Sequence, residues 1–235
     1  MFAFVGPLLD AGRSVALFDA PAHGASSGRI ASVPLFAAAL RAVASQLGTI
    51  RGVVAHSMGA PATAFAALEG LTLDAAVFVG PPRNPAAFFD EFCAALAMGE
   101  PLAKAVRERL ETRFGARLGE FDLLHWAGRL RLPLLVVHDE DDQEVPWHSG
   151  EAIARAWEGA ALLTTSGLGH RRVLRDPEVV ARATAFLVER LANGGLACER
   201  CGRLVRGCWS EGRLCGACGL EAHLFSPTLR PIGAA

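Results

Sequence analysis

The chain has 235 residues, 23 Lys and Arg against 24 Asp and Glu, a formal net charge of −1, and 51% apolar residues. This length suits one large α/β domain with a small appendage, and the balanced charge excludes the basic footprint of a nucleic-acid binder and an acidic tail. No apolar run reaches membrane-spanning length without a charge or a turn signal, and the opening "MFAFVGPLLDAGR" has no basic start and meets Asp10 early, unlike a signal peptide.

In chain order, "SVALFD" over 14–19 predicts a short buried strand, followed by the turn-rich "APAHGASSG". "PLFAAALRAVASQLG" predicts a helix with Phe36, Leu40, Val43 and Leu47 on one face, closed by Gly48. "RGVVAHS" is an apolar strand, and "GAPATAFAALEG" after it is rich in small helix formers. "LDAAVFVGPP" is a third strand, stopped by Pro81 and Pro82; "LPLLVVHDEDD" is a fourth and "ALLTTSGLGH" a fifth. The last helix has Asp176 as its cap, Pro177 at its first position, and Val180, Ala183, Leu187 and Leu191 along one side. Strands that are apolar throughout and alternate with helices predict an α/β fold, a mostly parallel sheet covered by helices on both faces.

Residues 83–131 interrupt that alternation with helical patterns and no strand. They read as a lid insertion whose Phe88, Phe89 and Phe92 help line an apolar pocket, or as an ordinary insertion packed on the core. "LANGG", ending at Gly195, reads as a linker, which divides the chain into a domain over 1–193 and a tail over 194–235.

Five of the six cysteines lie between 198 and 218, and Cys93 stands alone. Such clustering points to a local metal site and a reducing cytoplasm, not to a disulfide framework. Cys198-x-x-Cys201 and Cys215-x-x-Cys218 are separated by the thirteen residues 202–214. Each pair presents two thiolates, and together they make a tetrahedral Zn(Cys)₄ site that resembles a zinc ribbon. Cys208 is a spare thiol and His223 an alternative ligand. Four thiolates leave no open coordination position, so the zinc is expected to be structural and the tail to serve stability or protein docking.

The chemistry concentrates at "VVAHSMGA", residues 53–60. A serine hydroxyl is a poor nucleophile at neutral pH unless a base lies in reach and a third group fixes the base's tautomer. It also needs an exposed seat, and a strand-to-helix turn supplies one where the flanking residues are small. Ala55 and Gly59 lie two residues either side of Ser57. The plainer reading of Ser57 is a helix cap.

These residues resemble the elbow of the α/β-hydrolase fold, in its esterase and lipase-like branch, with Ala55 in place of the first glycine of Gly-x-Ser-x-Gly. The resemblance extends over about residues 1–192. It implies a catalytic acid after a later strand, which "LPLLVVHDEDDQEVP" supplies: Asp142 has the matching spacing to Val145 and Pro146, with Asp139, Glu140 and Asp141 as competitors. It implies a base in the closing segment "TTSGLGHRRVLRDPEVV", where His170 fits and His138 and His148 are alternatives. It also implies Met58 as a backbone oxyanion donor. "FDAPAHGASSG" is similar to an architectural loop of the family, with Ala22 replacing a glycine, so Asp19, His23 and Ser26 are not read as catalytic. The family's first strands and their second oxyanion amide have no counterpart here, which implies an N-terminally incomplete sequence.

The function implied is a cytoplasmic serine hydrolase cleaving an ester or related small acyl substrate through Ser57, His170 and Asp142, with no catalytic cofactor. The alternative is a non-catalytic hydrolase-like scaffold whose tail binds a partner. Haloperoxidase or thioesterase chemistry is a third use of the same fold.

Overall fold

The computed structural model describes residues 1–191 and the two short strands β5 (Leu196–Ala197) and β6 (Leu204–Val205), which pair antiparallel. The linker at 192–195 and the expected zinc ligands Cys198, Cys201, Cys215 and Cys218 lie outside the described residues. The larger sheet has four parallel strands in the order of the chain: β1 (Gly52–His56), β2 (Ala75–Val79), β3 (Leu134–Asp139) and β4 (Ala161–Thr165). Val54 lies opposite Val77, Val77 opposite Leu135, and Val137 opposite Leu163.

Successive side chains of a strand point to opposite faces, and in the two central strands, β2 and β3, both faces are buried. Ala76, Phe78, Leu134 and Val136 join one cluster, against α2 (Val33–Leu47), α3 (Gly59–Leu68), α6 (Leu123–Ala127) and α7 (Trp147–Ala156). Ala75, Val77, Val79, Leu135 and Val137 join the other, against α1 (Val5–Asp10) and α9 (Pro177–Arg190). This is the covered parallel sheet that the apolar strands call for.

The helix ends follow local chemistry. The Asp176 carboxylate accepts the amides of Glu178 and Val179 at the start of α9, with Pro177 in the first position. At the far end Arg13, buried, donates to the carbonyls of Val188 and Leu191. In α2 the fully buried stripe is Val33, Ala37 and Ala44, while Phe36 and Leu40 pack partly against the core. Alanines there let α2 approach α3, itself built from small residues.

Residues 14–19 are not a strand. None of them is buried, and Leu17 and Phe18 are 46% and 43% exposed. A strand exists only through a ladder partner, and residues 15–18 line, across from β1, a cleft of about 270 Å³. Its walls are mostly apolar, among them Val15, Leu17, Val43, Val53 and Leu187. Among the described residues β1 is accordingly an edge strand.

Between β2 and β3 the chain forms α4 (Pro85–Ala95), α5 (Glu100–Phe114), a 3₁₀ turn over Leu118–Phe121, and α6. Phe89, Cys93 and Leu118 make a small core of their own, with Arg107 over the Phe89 ring at 5.0 Å. Phe89 is therefore core material of the insertion and not pocket lining, and Phe88 and Phe92 are about half exposed.

Candidate active site

In a parallel sheet all strands end at one rim, and the loops there bring distant residues together. The ladder runs one residue past each strand: the Ser57 amide donates to Val79, Gly80 to Val137, and Glu140 to Thr165. Ser57, Gly80, the acidic run after β3 and the loop after β4 thus share one edge.

Ser57 sits between β1 and α3 with φ of 51°, in the left-handed region that non-glycine residues rarely occupy. The turn closes through a bond from the Ala60 amide to the Ser57 carbonyl, and Met58 is the N-cap of α3. A Cβ placed on Gly59 would lie 3.6 Å from the Cβ of Ala55, an ordinary contact. Small residues at 55 and 59 are what let strand and helix pass this closely.

His170 lies in α8 (Gly169–Arg172), buried, and its Nδ1 bonds Asp142 Oδ2 at 2.7 Å. With Nδ1 donating to the carboxylate, Nε2 carries the lone pair. Asp142 is buried and also accepts the amides of Glu144 and Val145 on Oδ1. Burial alone would raise its pKa; hydrogen bonds from His138, His170 and those amides outweigh it and hold the carboxyl well below the usual range. The site therefore contains a fixed anion bonded to an imidazole.

The four acids divide the work. Asp139 accepts the Asp141 and Gly169 amides on Oδ1, and Thr165 Oγ1 and the Leu168 amide on Oδ2. Asp141 accepts the Gly167 amide at 2.7 Å. Both tie down the loop that carries His170, while Asp142 holds its ring and Glu140 is exposed.

Of the alternative histidines, His148 is exposed on α7. His138 is fully buried on β3; its Nε2 donates to the Val145 carbonyl at 2.9 Å and lies 3.4 Å from Asp142 Oδ2. It shares the carboxylate but is sealed from any substrate. The architectural loop closes on itself: Asp19 accepts the Ala25 amide, Ser26 donates to the Asp19 carbonyl, and Ala22 has φ of 62° where the family's glycine would be unstrained.

Two residues at this rim were not singled out from the sequence. His56, the last residue of β1, donates from Nε2 to the main-chain carbonyl of His170 at 2.9 Å, and the two rings lie 4.4 Å apart, tilted by 45°. Burial first, and the neighbouring His170 second, push its pKa down to about 4, so it is neutral at pH 7. Gly80, with φ of 56°, backs the His170–Asp142 pair; a Cβ there would sit 3.0 Å from His170 Nδ1. Position next to Ser57 was the available signal for His56. For Gly80 only the strand end preceding Pro81 was available.

Residues 1–183 match the family model described as the alpha/beta hydrolase family. The chain belongs to the alpha/beta hydrolase family. No curated protein sequence matches it. Among solved structures, an esterase from Pyrococcus furiosus is similar with a TM-score of 0.58 and 21% identity, over 81% of this chain and 75% of that one. The esterase domain of a Rhodothermus marinus protein gives 0.55 and 19%, over 80% and 76%. A hydrolase from Pseudomonas aeruginosa gives 0.53 and 24%, over 72% and 77%. At these identities the likeness is one of fold. Within this alpha/beta hydrolase, no group of three or more metal-ligating side chains occurs among the described residues, and no described helix is long and apolar enough to cross a membrane.

Proposed function

We propose that this alpha/beta hydrolase is a cytoplasmic serine hydrolase acting on esters or related small acyl compounds. The observation that carries the reading is the buried bond from His170 Nδ1 to Asp142, at the same rim as a serine held at positive φ. In this reading Ser57 Oγ attacks the acyl carbonyl and passes its proton to His170 Nε2. Asp142 fixes the tautomer and stabilises the imidazolium as it forms. The Met58 amide donates to the oxyanion. His170 then protonates the leaving group, and water, activated by His170, clears the acyl-enzyme.

The insertion over 83–131 serves as the lid in this scheme, with exposed Phe88 and Phe92 available to acyl chains. The mostly apolar cleft beside β1 suits one further parallel strand; a segment preceding Met1 would fill it and bring a second oxyanion amide. In-frame codons upstream encoding an apolar strand test that point, and an immediate stop codon refutes it. In the tail, Cys198, Cys201, Cys215 and Cys218 would hold one structural zinc; four thiolates leave no open position, so no catalytic step runs through it.

A fluorophosphonate probe tests the hydrolase reading. Labelling of the full chain that disappears in Ser57→Ala supports it; absence of labelling supports a non-catalytic scaffold.

A further inference from the structure

His170 stands in a helix of only four residues, Gly169–Arg172. One turn is too short to hold itself, and the last four carbonyls of any helix lack intrahelical partners. The His170 carbonyl is one of these. Its partner comes from another part of the chain, the Nε2–H of His56, 114 positions away in sequence. A carbonyl accepts only, so this bond fixes His56 in the tautomer with hydrogen on Nε2. A neutral ring is needed for close ring-to-ring contact with an imidazole that gains a proton during turnover.

We propose that His56 is a positioning residue for the His170 imidazole, acting through the main-chain carbonyl of His170. This rests on the reading of His170 as the base. The ring of His170 is held at Nδ1 by Asp142, and its backbone is held by His56, so its position relative to Ser57 is set from two sides. β1 supplies both the serine and this second support: Ser57 follows His56 directly, so a displacement of one carries the other. The charged groups of the rim that reach His56 are His170 and Asp142, and both change or carry charge in the proposed cycle. Burial keeps His56 itself uncharged at neutral pH, which spares His170 a cationic neighbour when it takes the serine proton.

A core histidine that only fills space is replaceable by any ring of similar size. A positioning residue is not, and three variants separate the two. His56→Phe keeps the ring and removes the donor. His56→Gln places an amide N–H close to the former Nε2. His56→Asn carries an amide too short to reach, and is smaller than Phe where Phe disturbs folding. The expected result is a kcat lowered roughly three- to tenfold in the Phe and Asn variants, the size of one neutral hydrogen bond, at unchanged KM, with recovery in the Gln variant.

The second readout needs no turnover. The low-field proton of the His170 Nδ1–H bond to Asp142, followed by proton NMR, is expected to move or broaden in Phe and Asn and to return in Gln. Parental kcat and an unmoved proton signal in the folded Phe or Asn variant would overturn the proposal, as would a Gln variant no better than Phe. If the unaltered protein shows no Ser57-dependent labelling, the hydrolase reading fails by itself, and the proton signal still decides the role of His56.

Discussion

Replacing Gly80 by alanine tests how tightly the His170–Asp142 pair is held. Gly80 follows β2, its amide bonded to Val137 at 2.8 Å, and has φ of 56°. A Cβ there would lie 3.0 Å from His170 Nδ1, 3.1 Å from its Cε1 and 3.4 Å from Asp142 Oδ2. Relief to an ordinary ~3.5 Å contact needs about 0.5 Å of movement in the ring. A misplacement of ~1 Å costs up to about 10²-fold in rate, so half of that costs roughly tenfold in kcat. The left-handed backbone adds about 1–2 kcal/mol of instability, or roughly 2–8 °C in Tm for a domain of this size. Gly70 is the control: its φ is 99°, and nothing lies within 4 Å of a Cβ there. Gly70→Ala therefore carries the backbone cost alone. The assay is kcat and KM on a short-chain p-nitrophenyl ester, with urea unfolding of both variants. Gly80→Ala at parental kcat, or Gly70→Ala with an equal loss, would refute the reasoning.

Asp142→Asn removes the anion that favours imidazolium and is expected to lower kcat by about 10²–10⁴ with little change in fold, read by steady-state kinetics and circular dichroism. Asp139→Asn leaves donors from Thr165, Leu168, Gly169 or Asp141 poorly matched, so stability is expected to fall by about 2–4 kcal/mol in urea unfolding, with kcat falling as the His170 loop loosens. Stability is also expected to drop on acidification in two stages. From the ordinary histidine value of 6.5 down to about 4 the unfolded chain takes up the His56 proton and the folded chain does not, which removes roughly 3 kcal/mol. Below about pH 4 the unfolded chain protonates Asp142 first, and the stability of that depressed carboxyl is lost in turn. Urea midpoints at steps from about pH 7 to pH 3 check both stages, and His56→Phe is expected to flatten the upper one.

Strands β1 to β4 and helix α9 were legible in the residues because each is written in local chemistry. Unbroken apolar runs mark strands covered on both faces, and Asp176-Pro177 marks a helix start. The small residues around Ser57 announce a close strand-to-helix turn, and the resemblance of the segment to the family's Asp-x-x-Val-Pro pattern puts Asp142 forward among four adjacent acids. The segment 14–19 has the composition of a strand but is not one in the structure, and strand pairing is not a local property. Tertiary structure alone decided which acid meets the His170 ring, because β3 and β4 must first align to bring the two loops together. It alone sent Asp139 and Asp141 to the loop backbone, buried His138 behind the carboxylate and placed His56 under the His170 carbonyl. Composition and periodicity report what a residue does to its own few neighbours in the chain. Apart from His138, which meets Asp142 four residues on, these contacts join residues from 26 to 114 positions apart, and only packing of the sheet rim brings them within bonding distance.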